Sequence, residues 1–211
     1  MHLSRKEIEE LDRIKRLNLI NSITGIKPAN LIGTKSKNGH TNLAIFSSIV
    51  HLGSNPPLIG FISRPTGEVP RHTIENILET EYYTINHVIV DDVKKAHYTS
   101  AKFERDESEF SNCSFEEEYV NDFYAPFVKG SQIKIGVKLV DQLHIKQNGT
   151  ILFIGEIMMI SAPDDVISDE GYIDLGEAKS AGISGLNSYY NLSKIDSFPY
   201  ARVHEIPEWE K

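Results

Sequence analysis

The chain has 211 residues, of which 40% are hydrophobic and 25% are charged, as in an ordinary soluble globular protein. That length allows one domain with a full hydrophobic core, or at most two small ones. A formal net charge of -8 and a pI near 5.5 argue against broad nucleic-acid binding, which draws most of its affinity from clustered basic surface.

No apolar run approaches the ~20 residues that a membrane-spanning helix needs. The opening segment, MHLSRKEIEELDRIKRL, is charged and amphipathic and has no apolar signal core, so we expect no export. Cys113 is the one cysteine, which excludes an internal disulfide and fits a reducing compartment. These features predict a cytoplasmic protein that binds neither nucleic acid nor membrane.

The N-terminal segment predicts a helix. Ser4 and Glu7 have the spacing of a capping box, in which each side chain accepts a hydrogen bond from the other residue's backbone. Ile8, Leu11 and Ile14 would form one apolar edge. We therefore expect an N-terminal helix within residues 1–18.

Strand patterns begin at Asn30. The segments NLIGTKS and TNLAIFSSIV flank Asn38-Gly39, a strong hairpin signal because both residues of its usual turn need positive φ. HLGSNPP then reads as a break, and LIGFIS as a short apolar strand. Thr73 is the expected N-cap of a helix that runs to Thr80, and YYTINHVIV returns to strand composition.

Residues 91–129 are acidic and aromatic and predict an irregular excursion with short helices. The acidic run at 116–118 is either a binding feature or a solvated face. Beyond it, IKIGVKLVDQLHI alternates apolar residues with Lys134, Gly136 and Lys138, which predicts one buried and one wet face. Asn148-Gly149 then predicts a second hairpin, with ILFIGEIMMI as its returning strand.

Five or six strands joined largely by hairpins predict a mainly β, antiparallel and closed sheet. Closure removes the exposed edges that such a sheet would otherwise present. We find no internal repeat, no low-complexity linker and no domain boundary. The expected fold is a small β-barrel with peripheral helices.

Two arginines flank a loop before the predicted helix at Thr73. The first turn of a helix has unpaired N–H groups and a partial positive charge, so it attracts anions. The guanidinium groups of Arg64 and Arg71 match phosphate oxygens two at a time, and a threonine hydroxyl donates a further hydrogen bond. The alternative is that the arginines pair with Glu68 and Glu75 on the surface.

The segment NLAIFSS, residues 42–48, is the second candidate. In a strand, Asn42, Ala44, Phe46 and Ser48 share one face. A planar heteroaromatic ligand suits this mixture, because it needs a flat apolar contact and hydrogen bonds at its edge. The alternative is a barrel corner whose hydroxyls bond to the protein itself.

The order of these segments resembles the flavin reductase-like, FMN-binding split-barrel family, particularly its flavoredoxin-type branch. That branch shows a strand, an Asn-Gly or Asp-Gly type turn, Asn-x-Ala-x-Phe-Ser, a Pro-Pro before the next strand, and Arg-Pro-x-Gly before a Lys/Arg-Asp-Thr helix start. The resemblance continues through HYTSAKF, APFVKGSQIKIGVKL and ILFIGEI to GLNSYY, and so covers nearly the whole chain after the first helix.

The resemblance implies that residues 1–211 form a single FMN-binding domain, a six-stranded split barrel that assembles as a homodimer with FMN near the subunit interface. Along the flavin ring and ribityl chain it would place Asn42, Ala44, Phe46, Ser47 and Ser48. Around the phosphate it would place Ser63, Arg64, Arg71 and Thr73, with His72 where the family usually has aspartate. His97 is the candidate for a ring contact, unless it is only structural.

The implied activity is hydride transfer from NADH or NADPH to FMN, for which the sequence needs no nucleophile and no metal site. A second hypothesis is an electron carrier that keeps FMN bound and relays electrons to a redox partner protein. An oxidase acting on pyridoxamine phosphate is a third, disfavoured because no second basic cluster is present. The fourth is a barrel without ligand that serves as an interaction module.

The acidic surroundings of Cys113 predict a raised thiol pKa and argue against a reactive thiol.

Overall fold

The computed structural model describes residues 1–65 and 71–209. Its α-helices are α1 (Arg5–Glu10), α2 (Arg13–Ser22), α3 (His72–Thr80), α4 (Val93–Tyr98) and α5 (Glu109–Asn112). Its strands are β1 (Lys27–Pro28), β2 (Asn30–Lys35), β3 (Thr41–Phe46), β4 (Val50–Ser54), β5 (Pro57–Ser63), β6 (Tyr82–His87), β7 (Glu117–Glu118), β8 (Phe127–Val128), β9 (Lys134–Ile145), β10 (Thr150–Ser161), β11 (Ala181–Ser184) and β12 (Ser188–Asn191). Short 3₁₀ turns lie at Val90–Asp92, Asp164–Val166 and Val203–Glu205.

The main sheet confirms the expected mainly β, antiparallel fold. Its strand order is β3-β2-β6-β9-β10-β5-β4, and each neighbouring pair is antiparallel. It has seven strands where six were expected. The additional strand, β4, lies partly in HLGSNPP, which the sequence pattern marks as a break because a glycine and two prolines interrupt it. Strand β4 nevertheless pairs with β5, with a shift in register between His51 and Gly53.

The sheet curls so that its two edge strands are consecutive in the chain. β3 ends at Phe46 and β4 begins at Val50, so three residues join the two edges. The Ser48 hydroxyl donates to the carbonyl of Ile62 at 3.0 Å and accepts from its N–H at 3.1 Å. This serine therefore bonds the corner after β3 to the backbone of β5.

Both Asn-Gly hairpins are confirmed, but their turns differ from the expected type. Gly39 has a φ of 88° and Gly149 a φ of 72°, whereas neither Asn38 nor Asn148 has positive φ. In the first hairpin the Ser36 N–H bonds to the His40 carbonyl at 2.9 Å. The glycine alone occupies the left-handed region, as in a three-residue hairpin loop. The expectation of positive φ at both residues is wrong.

The expected wet face of β9 is largely covered. Lys134 is 8% exposed and pairs with Glu118, and the Phe123 ring lies where a side chain at Gly136 would stand. The excursion over 91–129 folds back across this face and brings both contacts. Alternation along β9 thus correctly identified the inward residues, but the opposite face meets protein as well as water.

The N-terminal helix expected over 1–18 is two helices, α1 and α2, separated by Leu11 and Asp12. The capping box is confirmed: the Ser4 N–H donates to Glu7 Oε2 at 2.7 Å, and the Glu7 N–H donates to Ser4 Oγ at 3.4 Å. A second cap follows, because Asp12 accepts from the N–H groups of Ile14 and Lys15 at 2.9 and 3.1 Å. Aspartate is favoured at an N-cap over a helix interior, so the chain restarts there.

Hydrophobic clusters cover both faces of the sheet. The barrel interior holds Ile32, Phe61, Tyr83, Ile85, Val137 and Phe153, together with Ile74 and Ile77 from α3. The outer cluster includes Leu31, Leu43, Val88, Phe110 and Val128. Helix α3 therefore packs on one side of β3 and α5 on the other, and the edge of β3 lies between them. In the described part of the chain, no helix combines the length and apolar character needed to cross a membrane.

Candidate functional site

Asn42 joins three elements at the edge of β3. Its side-chain oxygen accepts from Thr73 Oγ1 at 2.6 Å, and its amide nitrogen donates to Glu109 Oε2 at 2.5 Å. All three side chains are buried. Strand β3, helix α3 and helix α5 are thereby joined by one chain of hydrogen bonds.

Thr73 is not the N-cap that the sequence predicted. Helix α3 begins at His72, and its N-cap residue is Arg71, which makes no side-chain capping bond. Thr73 lies in the first turn, where its hydroxyl donates to Asn42 rather than accepting from the helix backbone. The first-turn N–H groups at the start of α3 therefore have no side-chain cap from Arg71, which leaves donors available to a bound anion.

Glu109 is the member of this cluster that the sequence analysis missed. Its Oε2 also accepts from the Leu43 N–H at 2.9 Å and so satisfies a backbone donor on the exposed edge of β3. Burial raises the pKa of this carboxyl, while the hydrogen bonds from Leu43 and Asn42 and the charge of His72 act in the opposite direction. The available signal was the Ser-x-Phe pattern around it: Ser108 caps α5 and Phe110 anchors α5 in the core.

The remaining residues of the β3 face lie toward the barrel corner. Ala44 and Phe46 are half-buried, and the Phe46 ring meets Phe61 edge to face at 5.2 Å between centroids. Ser47 and Ser48 follow the end of β3, and both are half-buried. The Ser48 hydroxyl is already used by the backbone of β5, which is the barrel-corner arrangement that the sequence left open.

Arg71 is the N-cap residue of α3, and Arg64 directly follows the end of β5. Ser63 ends β5 and donates to the Arg64 carbonyl at 3.0 Å, while Arg71 Nε donates to the Pro65 carbonyl at 3.4 Å. Burial and then the positive charge of Arg64 lower the pKa of Arg71. Like charges repel each other, so an anion bound near both arginines would be favoured.

The alternative surface partners of the arginines have separate outcomes. Glu75 pairs with Arg105, so within the described residues its partner is not one of the two loop arginines. Glu68 lies outside the described residues, as do Gly67 and Pro70 of the same loop.

His97 lies in α4, apart from the Asn42 cluster. Its Nδ1 is 3.2 Å from the Tyr189 hydroxyl, and its ring meets the rings of Tyr98 and Tyr189 edge to face. These contacts join α4 to β12. Burial raises the pKa of Tyr189 to about 12, which keeps that phenol protonated at neutral pH.

Cys113 is free and buried. Burial first, and the charge of Glu109 second, raise the pKa of its thiol. The predicted direction of the shift is confirmed, but its main cause is desolvation rather than the acidity of the neighbouring sequence.

The structure therefore brings the predicted residues into three groups. Asn42 and Thr73 share one hydrogen-bonded cluster with Glu109, and His72 adjoins it. Arg64 and Arg71 form the second group through the effect of the Arg64 charge on Arg71, and Ser63 bonds to the Arg64 carbonyl. The third group is the corner after β3, with Phe46, Ser47 and Ser48.

Residues 26–176 match the family model described as "Flavin reductase like domain". A protein of Shewanella frigidimarina NCIMB 400, described as a flavin reductase with split barrel domain, is 48% identical; the match covers 95% of this chain and 100% of that chain, with a TM-score of 0.91. Flavoredoxin of Desulfovibrio vulgaris (Miyazaki F) is 21% identical, with 83% and 92% covered and a TM-score of 0.72. The FMN-binding protein from Thermus thermophilus is 14% identical, with 83% and 91% covered and a TM-score of 0.69. The last two similarities show the fold. Because the family model covers more than half of its length, this chain belongs to the flavin reductase-like domain family.

Proposed function

We propose that this chain is an FMN-binding flavoprotein whose residues 1–211 form one cofactor-binding domain. The observation that carries the proposal is the pair of arginines at the start of α3 in a chain with a formal net charge of -8. A phosphate monoester carries about -1.5 to -2 charges at neutral pH, so it would relieve the repulsion between Arg64 and Arg71. The first-turn N–H groups of α3 point to the same ligand chemistry.

The residues around this pair form the rest of the proposed site. Ser63 and Thr73 border the proposed phosphate position. The family usually has aspartate where this chain has His72, and a carboxylate there would add negative charge next to Glu109. Asn42, Ala44 and Phe46 of β3 would supply ring and ribityl contacts, together with Ser47 and Ser48 of the corner that follows, where the Ser48 hydroxyl is already bonded to Ile62. The Asn42 amide is held by Thr73 and Glu109, so its orientation is set before any ligand arrives. His97 lies in α4, so it would contact the flavin ring from that helix.

We further propose that the protein is an NAD(P)H-dependent flavin reductase. FMN supplies the hydride-accepting chemistry when bound, and the protein contributes binding, orientation and a dry environment. The buried aromatic packing of Phe46 on Phe61 gives the proposed ring position a rigid apolar floor. NADH or NADPH is the proposed hydride donor.

The proposed assembly is a homodimer. Val50, Leu52, Leu143, Met158 and Ile160 are exposed on β4, β9 and β10. All three strands belong to the main sheet, and large exposed apolar areas on a sheet are typical of protein–protein contact surfaces. Covering them with a second copy would bury them and would place two copies of the site in one assembly.

Binding of FMN through Arg71 is the first test of this proposal. We expect the purified protein to be yellow and to release FMN on denaturation. Arg71→Ala should weaken FMN binding by about 1.5–3 kcal/mol, roughly 10- to 150-fold in Kd, because a hydrogen bond to a charged group is lost. Titration of the apoprotein, followed by flavin fluorescence, measures this change.

Arg5→Ala is the matched control for Arg71→Ala, since it removes the same charge from a side chain that is 93% exposed in α1. Its FMN affinity should equal that of the wild type. A colourless protein that binds no added FMN would refute both the reductase and the carrier. Equal affinities in the two variants would place the phosphate elsewhere.

The electron carrier is the second candidate, because the fold is shared with a flavoredoxin. We expect steady-state oxidation of NADH or NADPH that accelerates when excess free FMN is added, because a flavin-supplying reductase turns over its flavin. Slow oxidation that is indifferent to added FMN, but fast with a redox protein acceptor, would favour the carrier instead.

A further inference from the structure

The C-terminal arm, residues 195–209, carries large apolar side chains that its own chain does not cover. Six of them are between 61% and 99% exposed: Ile195, Phe198, Tyr200, Val203, Ile206 and Trp209. The side-chain hydrogen bonds described for the arm stay within it, at Asp196–Ser197 and Arg202–Glu205. The arm leaves the body next to Lys194, whose ammonium lies 3.7 Å from Asp174.

The composition of the arm is not that of a solvated tail. Segments that stay disordered have few aromatic and β-branched residues, because they have little apolar surface to bury. This arm has an apolar residue at every second or third position and three aromatic rings. Such spacing is typical of an extended segment that lies against another surface.

Helix α2 offers a complementary surface. Ile14, Leu17 and Ile20 of α2 and its C-cap residue Ile23 follow one another at three-residue spacing; all four are exposed, and no residue of α2 is buried. A cleft of about 520 Å³ lies beside α2, and of these four residues Ile14 lines it. We call the four spaced residues the α2 stripe.

The charges of the two segments are opposite. Helix α2 has the basic residues Arg13, Lys15 and Arg16 and no acidic one. The arm has three acidic residues, Asp196, Glu205 and Glu208, against one arginine. A basic helix is distinctive in a chain with a formal net charge of -8. Apolar contact and charge therefore select the same pair of segments.

The length of the arm suits a neighbouring copy. Fifteen extended residues reach about 50 Å, whereas a compact domain of this size has a radius of gyration of about 17 Å. In this structure the arm is not packed on its own α2 stripe, since both remain exposed. A two-fold pair would let each copy give its arm and receive the other, which closes the assembly.

We propose that the C-terminal arm of each copy docks on the α2 stripe of a second copy of this chain. The inference rests on the proposed homodimer but not on flavin binding. This contact would cover both exposed surfaces, since the arm of one copy lies on the α2 stripe of the other.

Trp209 tests the proposal without any substitution, because it is the one tryptophan in the sequence and lies in the arm. The apoprotein is used, so that flavin does not quench the signal. At concentrations where sedimentation shows a dimer, we expect blue-shifted emission and at least twofold weaker acrylamide quenching than after denaturation. Ile20→Asp should restore solvent-like emission, whereas Tyr172→Asp, at a residue 78% exposed elsewhere on the chain, should not.

Mixing differently tagged copies tests whether the arm crosses between chains. One copy carries Val203→Cys and the other Ile20→Cys, and oxidation should join the two tags in one disulfide-linked product. Absence of that product, a dimer with solvent-like Trp209, or a monomer at all concentrations would each overturn the proposal. FMN titration on the same samples reports separately on the flavin site.

Discussion

Phe61→Ala should lower the free energy of unfolding by about 3–5 kcal/mol, the cost typical of removing a buried aromatic ring. Phe61 is 0% exposed and lies at the centre of the barrel interior. Its ring stacks on Phe153 at 5.1 Å between centroids and meets Phe46 and Tyr83 edge to face. Alanine would leave a cavity bordered by three other rings, which cannot collapse without moving strands β3, β6 and β10.

Chemical denaturation of the apoprotein, followed by circular dichroism, measures this change. Tyr172→Ala is the control, because it removes an aromatic ring that is 78% exposed, and its effect should stay within about 0.5 kcal/mol. Equal effects of the two substitutions would mean that the interior is not packed as described. Since Phe46 rests on Phe61, the same substitution should also weaken FMN binding by the proposed site.

His87 should make the protein less stable as the pH falls from about 6.5 to about 4. Burial lowers the pKa of His87 from an ordinary 6.5 to about 4, and its Nδ1 lies 3.1 Å from the Ser180 hydroxyl. Between these values the unfolded chain binds a proton at this residue and the folded chain does not. Stability therefore rises with pH across this window, by up to about 3 kcal/mol, and its full value is present above pH 6.5.

His87→Gln should flatten that part of the pH profile, because glutamine has no proton to gain. Urea denaturation at intervals between pH 4 and pH 7 measures the difference between the variant and the wild type, which removes the shared contribution of the carboxylates. His51→Gln, at an exposed position in β4, should leave the profile unchanged. Identical profiles for the wild type and His87→Gln would show that folding does not lower the pKa of His87.

Several elements could be read from the sequence because their signals are local. The capping box at Ser4, both Asn-Gly hairpins and the alternation along β9 each involve residues within a few positions of one another. Local rules were insufficient where two of them competed. Asp12 ended the first helix although the apolar edge ran on, and β4 formed although glycine and proline marked a break.

In the candidate site, too, local sequence signals identified some residues and missed others. The order of segments placed Asn42, Arg64, Arg71 and Thr73 in one family pattern; in the structure Thr73 donates to Asn42, and Arg71 is the N-cap residue of α3. The hydrogen-bond partner of Asn42 could not be read in this way. Glu109 lies 67 positions further along the chain and appears in the sequence as one acidic residue among many.

The sequence by itself therefore determined the mainly β class, the two hairpins and the family, because each depends on short-range backbone preferences or on segment order. The tertiary structure alone decided that Lys134 is covered, that Thr73 donates to Asn42 and that Glu109 is buried beside them. These outcomes depend on how the closed sheet brings distant segments together. Most buried polar groups form hydrogen bonds with whichever residues closure brings next to them. Neighbouring positions in the sequence do not show which residues these will be.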